Sequence, residues 1–349
     1  GGSNTAVGRA ALSASTTAND NTALGYAALG ANTTGEDNTA VGSGALDANT
    51  TESNMTAVGY RALGAANGSS ASSAFGANAL LACTTGNYNN AFGESSLNSV
   101  TTGASNCAFG GSALRETTTA DNNSAFGESA LRANTTGTNN NAFGSGALDA
   151  NTTGEENCAF GKNALGASNA SYCSAFGDGA LAANTSGTRG TAVGNNALVE
   201  NTTGNYNTAV GDSCLANNTT GANNTSVGRA SLSSQTTASN NTAVGADVLA
   251  QNSTGTANTA VGAFALDANT TANNCTAVGY AALGANTTGM SNTAVGKDAL
   301  LVSTTGINNC GLGVNALEAN TTGSNNTALG KQALALNTTA NDNVAVGHY

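Results

Sequence analysis

The residues able to carry out acid–base or nucleophilic chemistry are few in this chain. Its 349 residues include one histidine, His348, beside the terminal Tyr349. Catalysis of this kind needs a base, a nucleophile and an orienting group held close together. A single histidine with no such neighbours in the sequence predicts a solvated tail or an end-to-end contact, and not a catalytic base.

The carboxylates do not form a catalytic or metal-binding pattern either. A calcium-binding solenoid needs an aspartate in every turn, and neither zinc-type spacing nor a phosphate-binding glycine loop occurs in the chain. We therefore predict no enzyme activity, no metal site and no cofactor. The carboxylates that we expect to share no column of the repeat are Asp47, Glu128, Asp149, Asp178, Asp267 and Glu318.

The seven cysteines are irregularly spaced. A disulfide requires Cα atoms within about 7 Å, and only Cys158 and Cys173 fall in adjacent repeats of the unit described below. We interpret the cysteines as small apolar residues that replace Thr, Asn or Ala; a disulfide or a bridge between subunits is the alternative. The seven are Cys83, Cys107, Cys158, Cys173, Cys214, Cys275 and Cys310.

Two recurring polar features could be modified or bind a partner. One is the row of Thr-Thr pairs such as Thr33-Thr34, which is similar to the threonine arrays of ice-binding solenoids. The other is the sequon Asn-x-Thr/Ser, the acceptor for N-glycosylation in a secretory context; turn chemistry that happens to spell the sequon is the alternative. The candidate glycosylation sites are Asn32, Asn49, Asn151, Asn201, Asn269 and Asn320.

Charge and hydropathy argue against nucleic-acid binding and against a membrane span. Charged residues make up 8% of the chain and the net charge is −11. A nucleic-acid interface needs a basic stripe to neutralise phosphates, so we predict no nucleic-acid binding. No apolar run approaches the roughly 20 residues that span a bilayer, so we predict no membrane span.

These residues are distributed over the copies of one repeated unit. A representative copy is Asn38-Thr39-Ala40-Val41-Gly42 followed by Ala45-Leu46. The closing glycine recurs 21 times at steps of 17 residues, with a single step of 16 between Gly161 and Gly177. A fixed period along the whole length predicts a solenoid in which each repeat rests on its neighbours. We predict one continuous array over residues 1–349, with flanking domains or end-to-end stacking to cover its terminal coils.

The residues before the repeated glycine predict a strand. Ala40 and Val41 must point to opposite faces of that strand; the Val41 column is always apolar, and the Ala40 column is Ala in every repeat except at Ser226 and Gly311. We therefore expect a strand buried on both faces and a second layer, from this chain or a partner chain. The residue before the glycine is Phe in seven successive repeats. The expected core ladder in this column comprises Val41, Phe75, Phe92, Phe109, Phe126, Phe143, Phe160 and Phe176.

The fourth residue after the glycine is Leu in all 20 repeats that reach it. An unbranched residue in place of Val or Ile favours a short helical turn, although Leu also fills the corners of pure β-solenoids. The predicted fold is a parallel β-solenoid of 21 coils with a 17-residue period. Each coil has one short strand plus a short helical turn or corner. The leucines assigned to the core ladder are Leu46, Leu63, Leu80 and Leu114.

The unit Asn-Thr-Ala-Val-Gly-x-x-Ala-Leu-x-x-Asn-Thr-Thr-Gly resembles the repeats of phage and bacterial tail-fibre-like surface proteins. Its Ala-Val-Gly segment is also similar to the head repeats of trimeric autotransporter adhesins. These resemblances imply a fibre exposed on a cell or virion surface. We expect an extracellular structural fibre or filament subunit that binds copies of itself by stacking or lateral association. The alternative is an adhesin or ice-binding module with a regular Thr/Asn surface, with glycans as possible partners.

Overall fold

The computed structural model describes residues 2–348; Gly1 and Tyr349, the end residues of the expected array, lie outside that range. The chain forms a parallel β-solenoid with one three-residue strand per coil, as the repeat predicts. It divides into two compact units, Gly1–Cys173 and Ser174–Tyr349. The boundary falls at the single 16-residue step of the repeat. Coil n below means strand βn and the residues up to the next strand.

Within each unit, successive strands pair in parallel and in register, so that residues from one column lie side by side. Unit 1 contains β1 (Thr5–Val7), β2 (Thr22–Leu24), β3 (Thr39–Val41), β4 (Thr56–Val58), β5 (Ser73–Phe75), β6 (Asn90–Phe92), β7 (Cys107–Phe109), β8 (Ser124–Phe126), β9 (Asn141–Phe143) and β10 (Cys158–Phe160). Unit 2 contains β11 (Ser174–Phe176), β12 (Thr191–Val193), β13 (Thr208–Val210), β14 (Thr225–Val227), β15 (Thr242–Val244), β16 (Thr259–Val261), β17 (Thr276–Val278), β18 (Thr293–Val295), β19 (Cys310–Leu312), β20 (Thr327–Leu329) and β21 (Val344–Val346).

The leucine of each coil lies in a corner, and no helix occurs in residues 2–348. The expected helical turn was therefore wrong and the corner alternative was right. Leu46 has a φ of 52° and Leu131 a φ of 52°, in the left-handed region. Left-handed backbone is strongly disfavoured for β-branched residues. This conformation, and not helix propensity, explains why Val and Ile never replace the leucine.

Two further columns in each coil adopt left-handed backbone, represented by Asp37 with a φ of 56° and Arg61 with a φ of 53°. None of the left-handed residues in the described part is β-branched. Each such residue costs about 1–2 kcal/mol. Burial of the corner leucine side chain stabilises the coil by about 1.5–3 kcal/mol. This gain offsets the cost of the left-handed backbone at the leucine itself.

The repeated glycine is required both by its backbone and by the space beside it. Gly42 has a φ of 134°, which other residues rarely adopt. A Cβ at Gly42 would also overlap the carbonyl oxygen of Gly59 in the next coil. The glycine column therefore sets how closely successive coils stack.

The core lies between the alanine column of the strands and the leucine column of the corners. Ala40 and Leu46 are fully buried, as are Leu63, Leu80 and Leu114. At Gly311, which replaces the strand alanine, an added Cβ would lie 3.4 Å from Cγ of Leu300. The second layer over the alanine face is thus the leucine column of the same chain, and the coil has room there for little more than a methyl group.

The column before the glycine is not part of the core, contrary to the sequence prediction. Phe109 and Phe160 are 36% and 38% exposed, and Val41 is only partly buried. Because neighbouring residues of a strand face opposite ways, placing alanine inside puts valine or phenylalanine outside. The expectation of a strand buried on both faces was therefore wrong. The outward residues among the predicted core ladder are Val41, Phe75, Phe92, Phe109, Phe126, Phe143, Phe160 and Phe176.

Two ladders of buried asparagines complete the interior. Before each strand, Asn123 Nδ2 donates to Asn106 Oδ1 over 3.2 Å and to the Gly137 carbonyl over 2.9 Å. In the turn, Asn151 Nδ2 donates to Asn134 Oδ1 over 3.0 Å. Stacked amides of this kind satisfy each other along the coil axis. The interior polar groups therefore lock the register of the coils.

The shortened coil 10 shows how the ladder accommodates a missing residue. In the full-length coils 2 and 3, the amides of Thr33 and Thr34 both donate to the Thr50 carbonyl. In coil 9 the corresponding amides, of Thr152 and Thr153, donate instead to the side-chain oxygen of Asn169, over 3.0 and 2.9 Å. One side-chain amide thus stands in for a peptide carbonyl.

Candidate functional surfaces

The residues first considered for chemistry do not come together. His348 is exposed beyond β21, and no group of three His, Cys, Asp or Glu in residues 2–348 could hold a metal ion. Four of the six carboxylates do share one column, contrary to expectation, but in coils far apart. These are Asp47, Asp149, Asp267 and Glu318, in coils 3, 9, 16 and 19.

The candidate glycosylation sites lie inside the solenoid. Asn32 is fully buried, its Nδ2 donates to the Gly35 carbonyl over 3.0 Å, and its Oδ1 accepts from the Gly35 amide. A glycan on this nitrogen does not fit in the folded coil. The prediction of N-glycosylation is therefore contradicted, and turn chemistry accounts for the sequon. The buried candidates are Asn32, Asn49, Asn151, Asn201, Asn269 and Asn320.

The cysteines divide into an inward and an outward group, and none of them is in a disulfide with another described residue. Cys83, Cys173, Cys214 and Cys275 are buried. Cys107, Cys158 and Cys310 are partly exposed at the first position of their strands, on the outward face of the sheet. Burial raises the pKa of the Cys83 thiol, and more weakly buried surroundings also raise the pKa of Cys107 and Cys158. The reactivity of the three outward thiols therefore measures how accessible the outward face of the sheet is.

The two kinds of threonine differ in what their hydroxyls do. In the turns, Thr33 Oγ1 donates to the Thr50 carbonyl over 2.9 Å, and Thr135 Oγ1 donates to the Thr152 carbonyl over 2.9 Å. These hydroxyls are occupied by the next coil. On the sheet, the hydroxyls of Thr191 to Thr293 form no hydrogen bond with another described residue. The first threonine of each turn pair is therefore occupied, whereas the second, such as Thr34 or Thr136, is exposed and its hydroxyl, like those of the strand threonines, forms no hydrogen bond with another described residue.

The outward face of the sheet consists of two parallel columns, the first and third residues of each strand. We call these the polar column and the apolar column. Strands β12 to β18 all read Thr-x-Val, whereas β5 to β10 combine Phe in the apolar column with Ser, Asn or Cys in the polar column. Phe never shares a strand with Thr. Since both residues lie on one face, this pairing indicates that the ring occupies space which a threonine methyl group would need.

The phenylalanine rings of unit 1 form a continuous stack. The centroids of successive rings from Phe75 to Phe160 are 4.4–4.9 Å apart, with interplanar angles of 5–8°. The spacing follows the distance between strands, about 4.8 Å. The rings therefore form a rigid ridge with their edges towards solvent.

Within the described residues, no helix is long and apolar enough to cross a bilayer. No protein-family model matches the chain, and no curated protein is significantly similar to it.

Proposed function

We propose that this chain is a structural fibre subunit that assembles by lateral association through the outward face of its sheet. The observation that carries the proposal is the apolar column, a row of half-exposed Val, Phe and Leu side chains on successive in-register strands. Contiguous apolar patches of this kind mark interaction surfaces. Copies that pack sheet to sheet remove the column from water.

The area of the column fits an interface. A phenylalanine can bury about 150–250 Å², so a third of that is about 50–80 Å² per ring. The six stacked rings of unit 1 then expose about 300–500 Å², the size of the largest patch on a typical monomer. The remaining aliphatic residues and threonine methyl groups bring unit 1 towards the ~800 Å² per partner of a stable interface.

The charge distribution supports the same proposal. None of the 21 strands contains a charged residue, although the chain carries 29 charged residues in its turns (9 Lys and Arg, 20 Asp and Glu). Depletion of charge at the centre of a surface distinguishes interfaces from other surface. Charged residues on the turns then keep the assembled fibre soluble.

Thiol protection tests the proposal directly. In dilute protein, a maleimide should react with Cys107, Cys158 and Cys310 and leave the four buried cysteines unmodified. On concentration into filaments, visible by electron microscopy, the three outward thiols should become protected. A Phe109→Ser/Phe126→Ser variant should assemble at least tenfold less readily, with Ser145→Ala as the control. Filaments with fully reactive outward thiols, or no assembly at any concentration, would rule out the sheet face.

The resemblance to tail-fibre-like repeats supports a location of such a fibre on a cell or virion surface. We assign the chain no enzymatic role, cofactor or nucleic-acid partner. Stacking of solenoids end to end is the other route to a filament, and it predicts filaments whose outward thiols stay reactive.

A second candidate function, ice binding, is favoured by one observation: seven successive strands of unit 2 present Thr-x-Val with unbonded hydroxyls. A regular flat row of hydroxyls and methyl groups is suited to ordering water. Ice-recrystallisation inhibition that is lost in Thr242→Tyr and retained in the turn variant Thr203→Tyr would support it. Inhibition absent in the wild-type chain would exclude it.

A further inference from the structure

One cleft in unit 1 departs from the regularity of the repeat. It has a volume of about 270 Å³ and lies on the turns of coils 2 to 4. Small-molecule sites usually measure about 300–1,000 Å³, so this cleft suits a group about the size of a single sugar ring. Its lining residues include Tyr26, Ser43, Gly44, Asp47, Tyr60 and Arg61.

Two tyrosines form the walls of the cleft. Tyr26 and Tyr60 occupy the same position, directly after the repeated glycine, in coils two apart, and both are 56% exposed. Two coil steps amount to about 9.6 Å, which is close to twice the shortest ring-stacking distance of about 4.5 Å. The coil between them carries Ser43, which leaves the space open. The Arg9 guanidinium lies 5.9 Å from the centroid of Tyr26 and supports that ring.

Two side chains of opposite charge, Asp47 and Arg61, line the cleft without forming an ion pair. Arg61 attracts the Asp47 carboxylate, which backbone amides of Asp47 and Ala48 orient. No ion pair between them occurs in the described part of the chain. In coils 8 and 9, by contrast, Arg132 Nε contacts Asp149 Oδ1 over 2.8 Å.

Gly44 creates the room between these groups. A Cβ at this position would lie 3.4 Å from Cγ of Arg61 and 3.6 Å from Oδ2 of Asp47. With glycine there, the carboxylate and the guanidinium border an open space between the tyrosine walls. The floor thus offers one strong acceptor and one strong donor with no net charge.

We propose that this cleft binds one neutral pyranose ring of a glycan. The apolar C–H faces of the sugar pack against Tyr26 and Tyr60. Its hydroxyl groups donate to Asp47 and accept from Arg61, bridging the two side chains. A site of this kind goes beyond fibre assembly, because it lies on the turns and not on the sheet face.

Saturation-transfer NMR on the full chain tests the proposal, with methyl β-D-glucopyranoside, methyl β-D-galactopyranoside and methyl α-D-mannopyranoside as probes. At least one probe should receive saturation from the protein. The signal should fall at least fivefold in Tyr60→Ala and in Asp47→Ala, and persist in Tyr60→Phe, which keeps the ring. Tyr88→Ala, at an exposed tyrosine outside the cleft, is the control.

The proposal is overturned if no probe receives saturation, or if binding is unchanged in both Tyr60→Ala and Asp47→Ala. It is also overturned if the methyl glycoside of N-acetylneuraminic acid, which carries a carboxylate, binds in preference to the neutral probes. Circular dichroism of the variants separates loss of the site from loss of the fold; since both altered side chains lie on the surface, the spectra should match wild type.

Discussion

Coils 5–10 of unit 1 and coils 12–18 of unit 2 have the same kinds of residue in the interior but different residues on the outward face of the sheet. In both, alanine and leucine fill the core and glycine follows the strand. Outside, the first region carries stacked phenylalanine beside Ser, Asn or Cys, and the second carries valine beside threonine. The interior is fixed by backbone conformation and close stacking, whereas the outward columns change in blocks because each side chain packs on its counterpart in the next coil.

The largest expected effect concerns what the two regions share. Asn123→Ala in unit 1 leaves the buried Asn140 N–H without its acceptor and removes the hydrogen bonds from Asn123 Nδ2 to Asn106 Oδ1 and to the Gly137 carbonyl, which keeps Asn134 Nδ2 as a donor. An unpaired buried group costs about 1–3 kcal/mol and each further lost hydrogen bond about 0.5–1.5 kcal/mol, so we expect a loss of about 4 kcal/mol in the free energy of unfolding. Asn241→Ala in unit 2 should cost a similar amount in urea denaturation. Unequal losses would show that the two interiors are not equivalent, and Ser145→Ala should be neutral.

Replacing a corner leucine should have the next largest effect. Leu131→Val and Leu266→Val lose a methylene, about 0.8 kcal/mol, and place a β-branched residue in left-handed backbone, a further cost of about 1–2 kcal/mol. Thermal unfolding should show equal destabilisation in both regions. Leu131→Met, which is unbranched, should be tolerated far better. If valine and methionine behave alike, left-handed backbone does not explain the invariant leucine.

The outward faces should respond differently from each other. Phe126→Val interrupts two stacking contacts worth about 0.5–1.5 kcal/mol each before solvent exposure is considered, so we expect a loss of about 1 kcal/mol. In unit 2, Val244→Phe should destabilise the chain while Thr242 is present. Adding Thr242→Ser should recover about 0.5–1 kcal/mol, a coupling that a double-mutant cycle measures. Purely additive effects would mean that the two columns do not share space.

The smallest effect is electrostatic. Burial raises the pKa of both Asp47 and Asp267; Arg61 opposes the rise at Asp47, and Asp247 adds to it at Asp267. A raised carboxyl pKa means that the folded state holds the proton more tightly, so stability falls as pH rises from about 3.8 through the folded pKa. Asp267→Asn should remove its share of this dependence. In carboxyl NMR titrations, salt should lower the pKa of Asp267 and raise that of Asp47.

The sequence predicted the period, the strands, the parallel register and the buried leucines, because these follow from spacing and residue type. It placed Val41 and the phenylalanines inside because apolar columns usually are buried. The width of the coil decided otherwise: only alanine fits against Leu46 and its counterparts. The sequence placed the sequon asparagines on the surface because polar side chains are usually exposed. The amide ladder that satisfies Asn32 inside the solenoid forms only when coils stack.

The pairing of Tyr26 with Tyr60 across the cleft can be predicted from the sequence. Both residues follow the repeated glycine and lie 34 positions apart in the sequence, which is two periods. Alignment of the variable positions across coils places the two tyrosines in one column. The unpaired state of Asp47 and Arg61 could not be read in this way, because it depends on side-chain positions.

The substitution of a peptide carbonyl by Asn169 has an evolutionary consequence. Tandem repeats lengthen and shorten by recombination between their copies, and imprecise events add or delete single residues. In most folds such a slip shifts every later side chain to the wrong face. Here an asparagine restores the lost acceptor within one turn, and the next strand, Ser174–Phe176, resumes the pattern. A solenoid in which a side chain can replace a missing acceptor can gain or lose a residue in a turn and still keep the inward and outward positions of its later strands.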